Sequence, residues 1–214
     1  MGYPIKIFRR YIAKNHIEKV TGLENLPQDK PFVIASNHDS FMDPLVLWAA
    51  VNKHIENRKM YFISEVFFIW DFLTNLVFKN VGGSLRIDRK TRNMVLEQAL
   101  EKLKKGHVIA VAPEGIIKEN PDIRRGKTGT ARLVLKGKIP LVPVGIRGDC
   151  CVWSLVSAIK WILRPKKKAL IRIGKPMHSD RYFDKKINKQ LLETVTDEIM
   201  IEIGRLCGKR YIKA

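Results

Sequence analysis

An α/β fold is what this sequence predicts: a single domain with a largely parallel mixed sheet flanked by helices, preceded by a short amphipathic N-terminal helix. Short apolar runs of strand length recur along the 214 residues, and segments with helical spacing separate most of them. Composition agrees, because 45% hydrophobic and 29% charged residues describe a chain that buries a core. The length suits one domain.

Each element can be justified in turn. Residues 3–15 set Ile5, Ile7, Phe8, Tyr11 and Ile12 against Lys6, Arg9, Arg10 and Lys14. This is a basic amphipathic helix pattern, equally suited to packing on the domain and to anchoring in a lipid interface. The expected division is residues 1–20 for this helix and 21–214 for the domain proper. Strands are expected at Phe32–Ala35, Met60–Ile63, Ser84–Ile87, Val108–Ala112, Leu141–Ile146 and Ala169–Ile173. Helical spacing marks Leu45–His54, Val66–Lys79, Thr91–Lys105 and Thr128–Lys136, with a last helix from about Lys186 to Cys207. Thr91–Lys105 stops at Gly106, a normal helix end. No internal repeat, low-complexity tract or linker interrupts the pattern.

Two segments are too apolar for ordinary surface. Val66–Phe78 is expected in the core. Cys150–Lys168 carries Trp153 and Trp161 and ends in a basic cluster, a combination that suits contact with a membrane. No window reaches the roughly 20 apolar residues that cross a bilayer, and the N-terminus lacks the apolar core of a secretory signal. The expectation is a chain that is soluble or bound to a surface.

The formal net charge is +19, from 40 Lys and Arg against 21 Asp and Glu. Such a field attracts polyanions: nucleic acid, an anionic lipid surface, or acidic substrates and carriers. Three cysteines, two of them adjacent, without a CxxC pair argue against a disulfide framework or a zinc site. The five histidines show no metal-ligand spacing. "GKT", Gly126 to Thr128, is no phosphate loop, because Pro121 stands where that motif needs glycine.

The stretch that carries chemistry is Ser36-Asn37-His38-Asp39-Ser40, where the first predicted strand ends, with Asp43-Pro44 close behind. Open α/β sheets bind ligands at the carboxyl ends of their strands. A histidine there is a usable base at neutral pH, and an aspartate within reach would fix its tautomer and stabilise the imidazolium. Ser36 and Ser40 lie in no nucleophile elbow, so a His–Asp pair without a protein nucleophile suits direct deprotonation of a substrate hydroxyl. The alternative for Asp43 is capping, since Asp before Pro at the start of an apolar run is a good N-cap. For His38 it is a loop histidine bonded to backbone.

"NHDSFMD", Asn37 to Asp43, resembles the N-H-x-x-x-x-D block of the glycerolipid acyltransferases, the family of 1-acylglycerol-3-phosphate acyltransferase. Three further blocks follow in that family's order. "GSLRIDR", Gly83 to Arg89, looks like the second, "APEGIIK", Ala112 to Lys118, like the third, and "IPLVPVGI", Ile139 to Ile146, like the fourth. The resemblance implies an acyltransferase domain in which His38 is the general base on an acceptor hydroxyl and Asp43 orients it. The oxygen then attacks an acyl thioester, and backbone N–H groups or nearby donors stabilise the oxyanion. Arg89 would bind the acceptor phosphate, and Glu114 with Gly115 would hold the glycerol part. The third block departs from the family pattern, which continues Glu-Gly-Thr-Arg-Ser, so Lys118 or Arg125 is expected to hold the acceptor's polar head. No metal or cofactor is implied; acyl-CoA or an acyl carrier protein thioester is the co-substrate.

The resemblance further implies a place on the cytoplasmic face of the cell membrane, peripheral or monotopic, facing an anionic lipid surface. The acceptor is expected to be lysophosphatidic acid, or else another lysolipid. The rival readings are a basic nucleic-acid-binding protein and an inactive lipid-surface binder. The first leaves the four ordered blocks unexplained, and intact His38 and Asp43 speak against the second; nucleic acid is not expected as a partner.

Overall fold

Seven strands form one sheet in the computed structural model, which describes residues 3–55, 58–65, 82–87, 91–117, 121–148, 154–164 and 168–213. They are β1 (Ile17–Thr21), β2 (Val33–Ser36), β3 (Met60–Glu65), β4 (Gly82–Ile87), β5 (Val108–Val111), β6 (Leu141–Arg147) and β7 (Ala169–Ile173). The helices are α1 (Tyr3–His16), α2 (Asp43–Val51), α3 (Arg92–Lys104), α4 (Gly129–Gly137), α5 (Leu155–Leu163) and α6 (Lys189–Cys207). The strand order is β1-β7-β6-β2-β5-β3-β4. Every pair is parallel except β6 with β7, so the sheet is mixed and largely parallel as the sequence predicts.

Both faces of the sheet are covered, which is why its central strands read as unbroken apolar runs. Side chains alternate across a strand. Around β2, Phe32 and Ile34 pack under α1, α2 and α5, while Val33 and Ala35 pack under α3, α4 and α6. Helix α2 is apolar on nearly all sides and buries Leu45 through Val51, the pattern of a core helix. On the opposite face α6 crosses β6 at Gly145, where a β-carbon would lie 2.3 Å from the Cys207 backbone nitrogen.

Three expectations need correction or completion. The N-terminal helix stops at His16, and Ile17–Thr21 pairs with β7 instead of continuing it to residue 20. This edge strand has a register shift between Ile17 and Lys19 and a weak apolar pattern, so pairing rather than local propensity makes it a strand. Helix α1 does pack on the domain, with Ile12 fully buried and Ile5, Phe8 and Tyr11 against the core, yet Ile7 stays exposed. In Cys150–Lys168, helix α5 buries Ala158 and Trp161 and exposes Val156, Ile159 and Leu163, so this helix is partly core and partly free apolar surface. The predicted helix Val66–Lys79 and Trp153 lie outside the described residues.

Candidate active site

Strand β2 lies between β6 and β5 and runs parallel to both, so three carboxyl ends open on the same edge of the sheet, where such sheets bind ligands. The loop after β2 begins with Asn37, which is buried. Its Nδ2 donates to the Ile146 carbonyl at 2.8 Å, and its Oδ1 accepts the Ile146 N–H at 2.8 Å. That pair of bonds ties the start of the His38 loop to the end of β6. The same Nδ2 also donates to Asp39 Oδ2 at 3.0 Å.

His38 and Asp43 meet. The ring Nδ1 is 3.1 Å from Asp43 Oδ2, with the imidazole one-fifth exposed and the carboxylate almost wholly buried. Asp43 Oδ2 accepts the backbone N–H groups of Asp39 and Ser40 as well, each at 2.8 Å. The capping expectation for Asp43 therefore fails. Met42 occupies the N-cap position of α2, Asp43 is the first helical residue, and its carboxylate turns back to the loop. The loop is short enough to bring its own N–H groups onto that oxygen before the helix can. Ser40 Oγ accepts the Met42 N–H at 3.1 Å and finishes the turn. With Nδ1–H donating to the carboxylate, Nε2 is the nitrogen left to accept a proton.

Glu114 comes from the loop after β5. Its Oε1 accepts the His38 N–H at 3.1 Å and its Oε2 the Arg124 N–H at 3.4 Å. The residue is buried, so this carboxylate grips the His38 backbone and the following loop together. The backbone N–H groups of His38, Asp39 and Ser40 are thus all bonded to carboxylates, and any oxyanion donor has to come from elsewhere. Gly115 closes the turn with its N–H on the Ala112 carbonyl at 3.1 Å. Its φ of +64° is left-handed, and a β-carbon would lie 2.4 Å from Lys127 Nζ, which donates to the Gly115 carbonyl at 3.1 Å. The left-handed backbone calls for glycine, while the Lys127 side chain is flexible enough to move aside.

Burial pushes the Asp43 carboxyl above the ordinary carboxylate value, opposed by the hydrogen bond and charge of His38 and by the Ser40 N–H. Burial raises Glu114 as well, opposed by the N–H groups of His38 and Arg124. Both carboxylates are therefore held in place at an electrostatic cost, a common mark of a functional site.

Of the residues singled out from sequence, the fold gathers His38, Asp43, Glu114 and Gly115 at one edge. Arg89 and Lys118 lie outside the described residues. Arg125 pairs with Glu193 of α6 at 2.9 Å, which commits it to the surface of that helix. Sequence reasoning missed Asn37 as a clamp and missed Lys209 altogether. Lys209 follows α6, and its Nζ lies 2.8 and 2.7 Å from the two carboxylate oxygens of Asp39. No local signal marks a lysine just past a helix end as a partner of this loop. Among the described residues no cluster of His, Cys, Asp and Glu could hold a metal ion.

Comparison with known proteins identifies the family. The acyltransferase family model matches residues 18–147, a stretch that contains His38, Asp43, Glu114 and Gly115. A 1-acyl-sn-glycerol-3-phosphate acyltransferase of Bacillus subtilis is 28% identical over 196 residues, 89% of this chain and 88% of that protein. The chloroplastic 1-acyl-sn-glycerol-3-phosphate acyltransferase LPAT1 of Arabidopsis thaliana is 30% identical over 165 residues, 76% of this chain and 44% of that protein. A probable enzyme of the same name from Mycoplasma genitalium is 28% identical over 138 residues, and the match spans half of its length. The crystal structure of the LPA acyltransferase PlsC from Thermotoga maritima has the same fold. Its TM-score is 0.61 at 22% identity, covering 99% of this chain and 82% of that one.

Proposed function

The chain belongs to the acyltransferase family, and from that premise we propose that it transfers a fatty acyl group from a thioester to the free hydroxyl of lysophosphatidic acid, giving phosphatidic acid for membrane phospholipid synthesis. The observation that carries this reading is the His38–Asp43 pair at the carboxyl end of β2. His38 Nε2 takes the hydroxyl proton as the acceptor oxygen attacks the thioester carbonyl. Asp43 balances the charge of the imidazolium. The tetrahedral adduct collapses, the carbon–sulfur bond breaks, and the imidazolium returns the proton to the leaving thiolate. The products are an ester and a free thiol, and the imidazole is neutral again. Glu114 and Gly115 are expected from the sequence to hold the glycerol part; with its two oxygens on the His38 and Arg124 N–H groups, Glu114 instead fixes the backbone of the base, Gly115 shapes the loop beside it, and Arg89 binds the acceptor phosphate. No metal or cofactor takes part, and the donor is a coenzyme A or acyl carrier protein thioester. Another lysolipid acceptor is the second reading, favoured by Ile116 and Ile117 where the family pattern places threonine and arginine.

The enzyme works at an anionic membrane surface, on its cytoplasmic side. Two features support this. The net charge is +19, and helices α1 and α5 expose Ile7, Val156, Ile159 and Leu163 beside Lys6, Arg10, Lys14, Lys160 and Arg164. The two helices are fastened to each other, since Tyr11 Oη donates to the Ile162 carbonyl at 2.6 Å and the rings of His16 and Trp161 stack at 3.7 Å. Apolar side chains ringed by cations suit the headgroup layer. No described helix is long and apolar enough to cross a membrane.

The test is thiol release by purified protein in anionic vesicles, with a panel of lysolipid acceptors and with both thioester donors. Release that requires lysophosphatidic acid is expected, and it should fall by about 10²–10⁴ in His38→Ala while vesicle binding persists. Equal release with and without acceptor would defeat the reading, and preference for another lysolipid would select the second.

A further inference from the structure

We propose that Lys209 is a positioning residue for the His38–Asp43 pair: its ammonium neutralises Asp39, so that the loop holds its shape and the base works against one carboxylate rather than two. This deepens the reading of His38 as the base and rests on it. Four observations support the assignment.

Asp39 directly follows His38, and its N–H is one of the bonds that hold Asp43 Oδ2. A shift of Asp39 therefore moves the orienting carboxylate. Its own side chain is largely sequestered, 22% exposed, and Lys209 faces it at 16% exposed with near-equal distances to both oxygens. Removing one partner of a pair this shielded from water costs more than breaking an ordinary surface ion pair, because it leaves the other charge uncompensated. Third, the lysine is delivered by a built turn. Helix α6 ends at Gly208, left-handed at φ +71°, and the Lys209 N–H bonds back to the Gly204 carbonyl at 2.9 Å. Fourth, the charge of Asp39 acts on the site, raising both Asp43 and Glu114, while Lys209 lowers Glu114.

Among the described residues, four ionisable groups share the hydrogen-bond network of the His38 loop. They are Asp43 on α2, Asp39 on the loop itself, Glu114 after β5 and Lys209 after α6. The buried Cys207 thiol lies near enough to feel Asp39, Glu114 and Lys209. Lys209 is the cation that bonds Asp39 in this group, and without it Asp39 keeps, among the described residues, only the Asn37 amide as a side-chain partner, with its charge no longer balanced.

The experiment uses the full chain with Lys209→Met, Lys209→Arg and the double variant Asp39→Asn with Lys209→Met. Steady-state acyl transfer is measured alongside the NMR titration of the His38 ring, assigned among the five histidines with His38→Ala. Lys209→Met should lower kcat by about 10–100-fold, the order of loss expected when reacting groups are misplaced, with KM for acceptor and thioester little changed. The His38 titration should move to higher pH. Lys209→Arg should retain most activity, and the double variant should recover much of the loss and return the titration towards wild type. A role in folding alone would lower the melting temperature without moving the ring titration. An unchanged kcat with raised acceptor KM would make Lys209 a phosphate ligand and overturn the proposal. So would a double variant as impaired as Lys209→Met. If wild type shows no turnover, the functional reading fails by itself, and the ring titration still decides whether Lys209 governs His38. Should Lys209→Met not fold, the double variant and Lys209→Arg carry the same comparison.

Discussion

Replacing Asp43 by Asn changes the charge of one buried atom group and little of its shape. Asp43 Oδ2 accepts three bonds, from Asp39 N, Ser40 N and His38 Nδ1, and a carboxamide oxygen in that place can accept all three. The ground-state structure should survive. Each bond loses its charge assistance, roughly 1 kcal/mol apiece. Against this, a charge no longer has to be kept out of water, and that penalty is several kcal/mol. The melting temperature at neutral pH should therefore stay within a few degrees of wild type. Turnover should not survive so well. When His38 takes the acceptor proton, an imidazolium forms beside an amide instead of an anion. The lost attraction is about 4 kcal/mol at an effective dielectric of 20, or about 10³ in kcat. Initial rates of thiol release under saturating acceptor measure it. The stability difference should also depend on pH. Burial holds the Asp43 carboxyl above its ordinary value in the fold, so the protonated form is favoured by folding. That stabilisation is complete below an unfolded pKa of about 4 and is lost as pH climbs through the raised value. The variant, having no proton to lose there, should gain stability relative to wild type as pH rises. A variant that melts like wild type and turns over within about tenfold of it would refute the role given to Asp43.

Two further outcomes are expected. Asn37→Ala strands both the N–H and the carbonyl of Ile146, at about 1–3 kcal/mol for each unpaired group. The melting temperature should drop by about 2–4 °C per kcal/mol, and activity should fall with it because the His38 loop loses its tie to β6; differential scanning calorimetry and initial rates check both. Ile159→Glu places a negative charge on the exposed face of α5, where Ile159 is half exposed. Vesicle flotation should show weaker binding to anionic lipid, by roughly tenfold or more from lost apolar burial and added repulsion, with the melting temperature unchanged; undiminished binding would remove this face from the membrane contact.

Much of this architecture is readable from the chain. Alternating strand and helix lengths predict the mixed parallel sheet, because a strand buried on both faces has to be apolar throughout. His38 and Asp43 are five residues apart, and a strand end joined to a helix start by so short a loop leaves ring and carboxylate few ways to avoid each other. That pair, like each of the four blocks that carry the family likeness, is information stored locally.

The rest was decided by the tertiary structure. Ile17–Thr21 is a strand because β7 lies beside it, whatever its own pattern suggests. Asp43 looks like a cap in sequence, yet its oxygen finds the N–H groups of Asp39 and Ser40 first. Glu114 reaches His38 across 76 positions, Asn37 reaches Ile146 across 109 and Lys209 reaches Asp39 across 170. Periodicity and spacing describe neighbours along the chain. They carry no information about which distant polar group a buried carboxylate will meet, and it is packing the sheet between two layers of helices that brings those groups together.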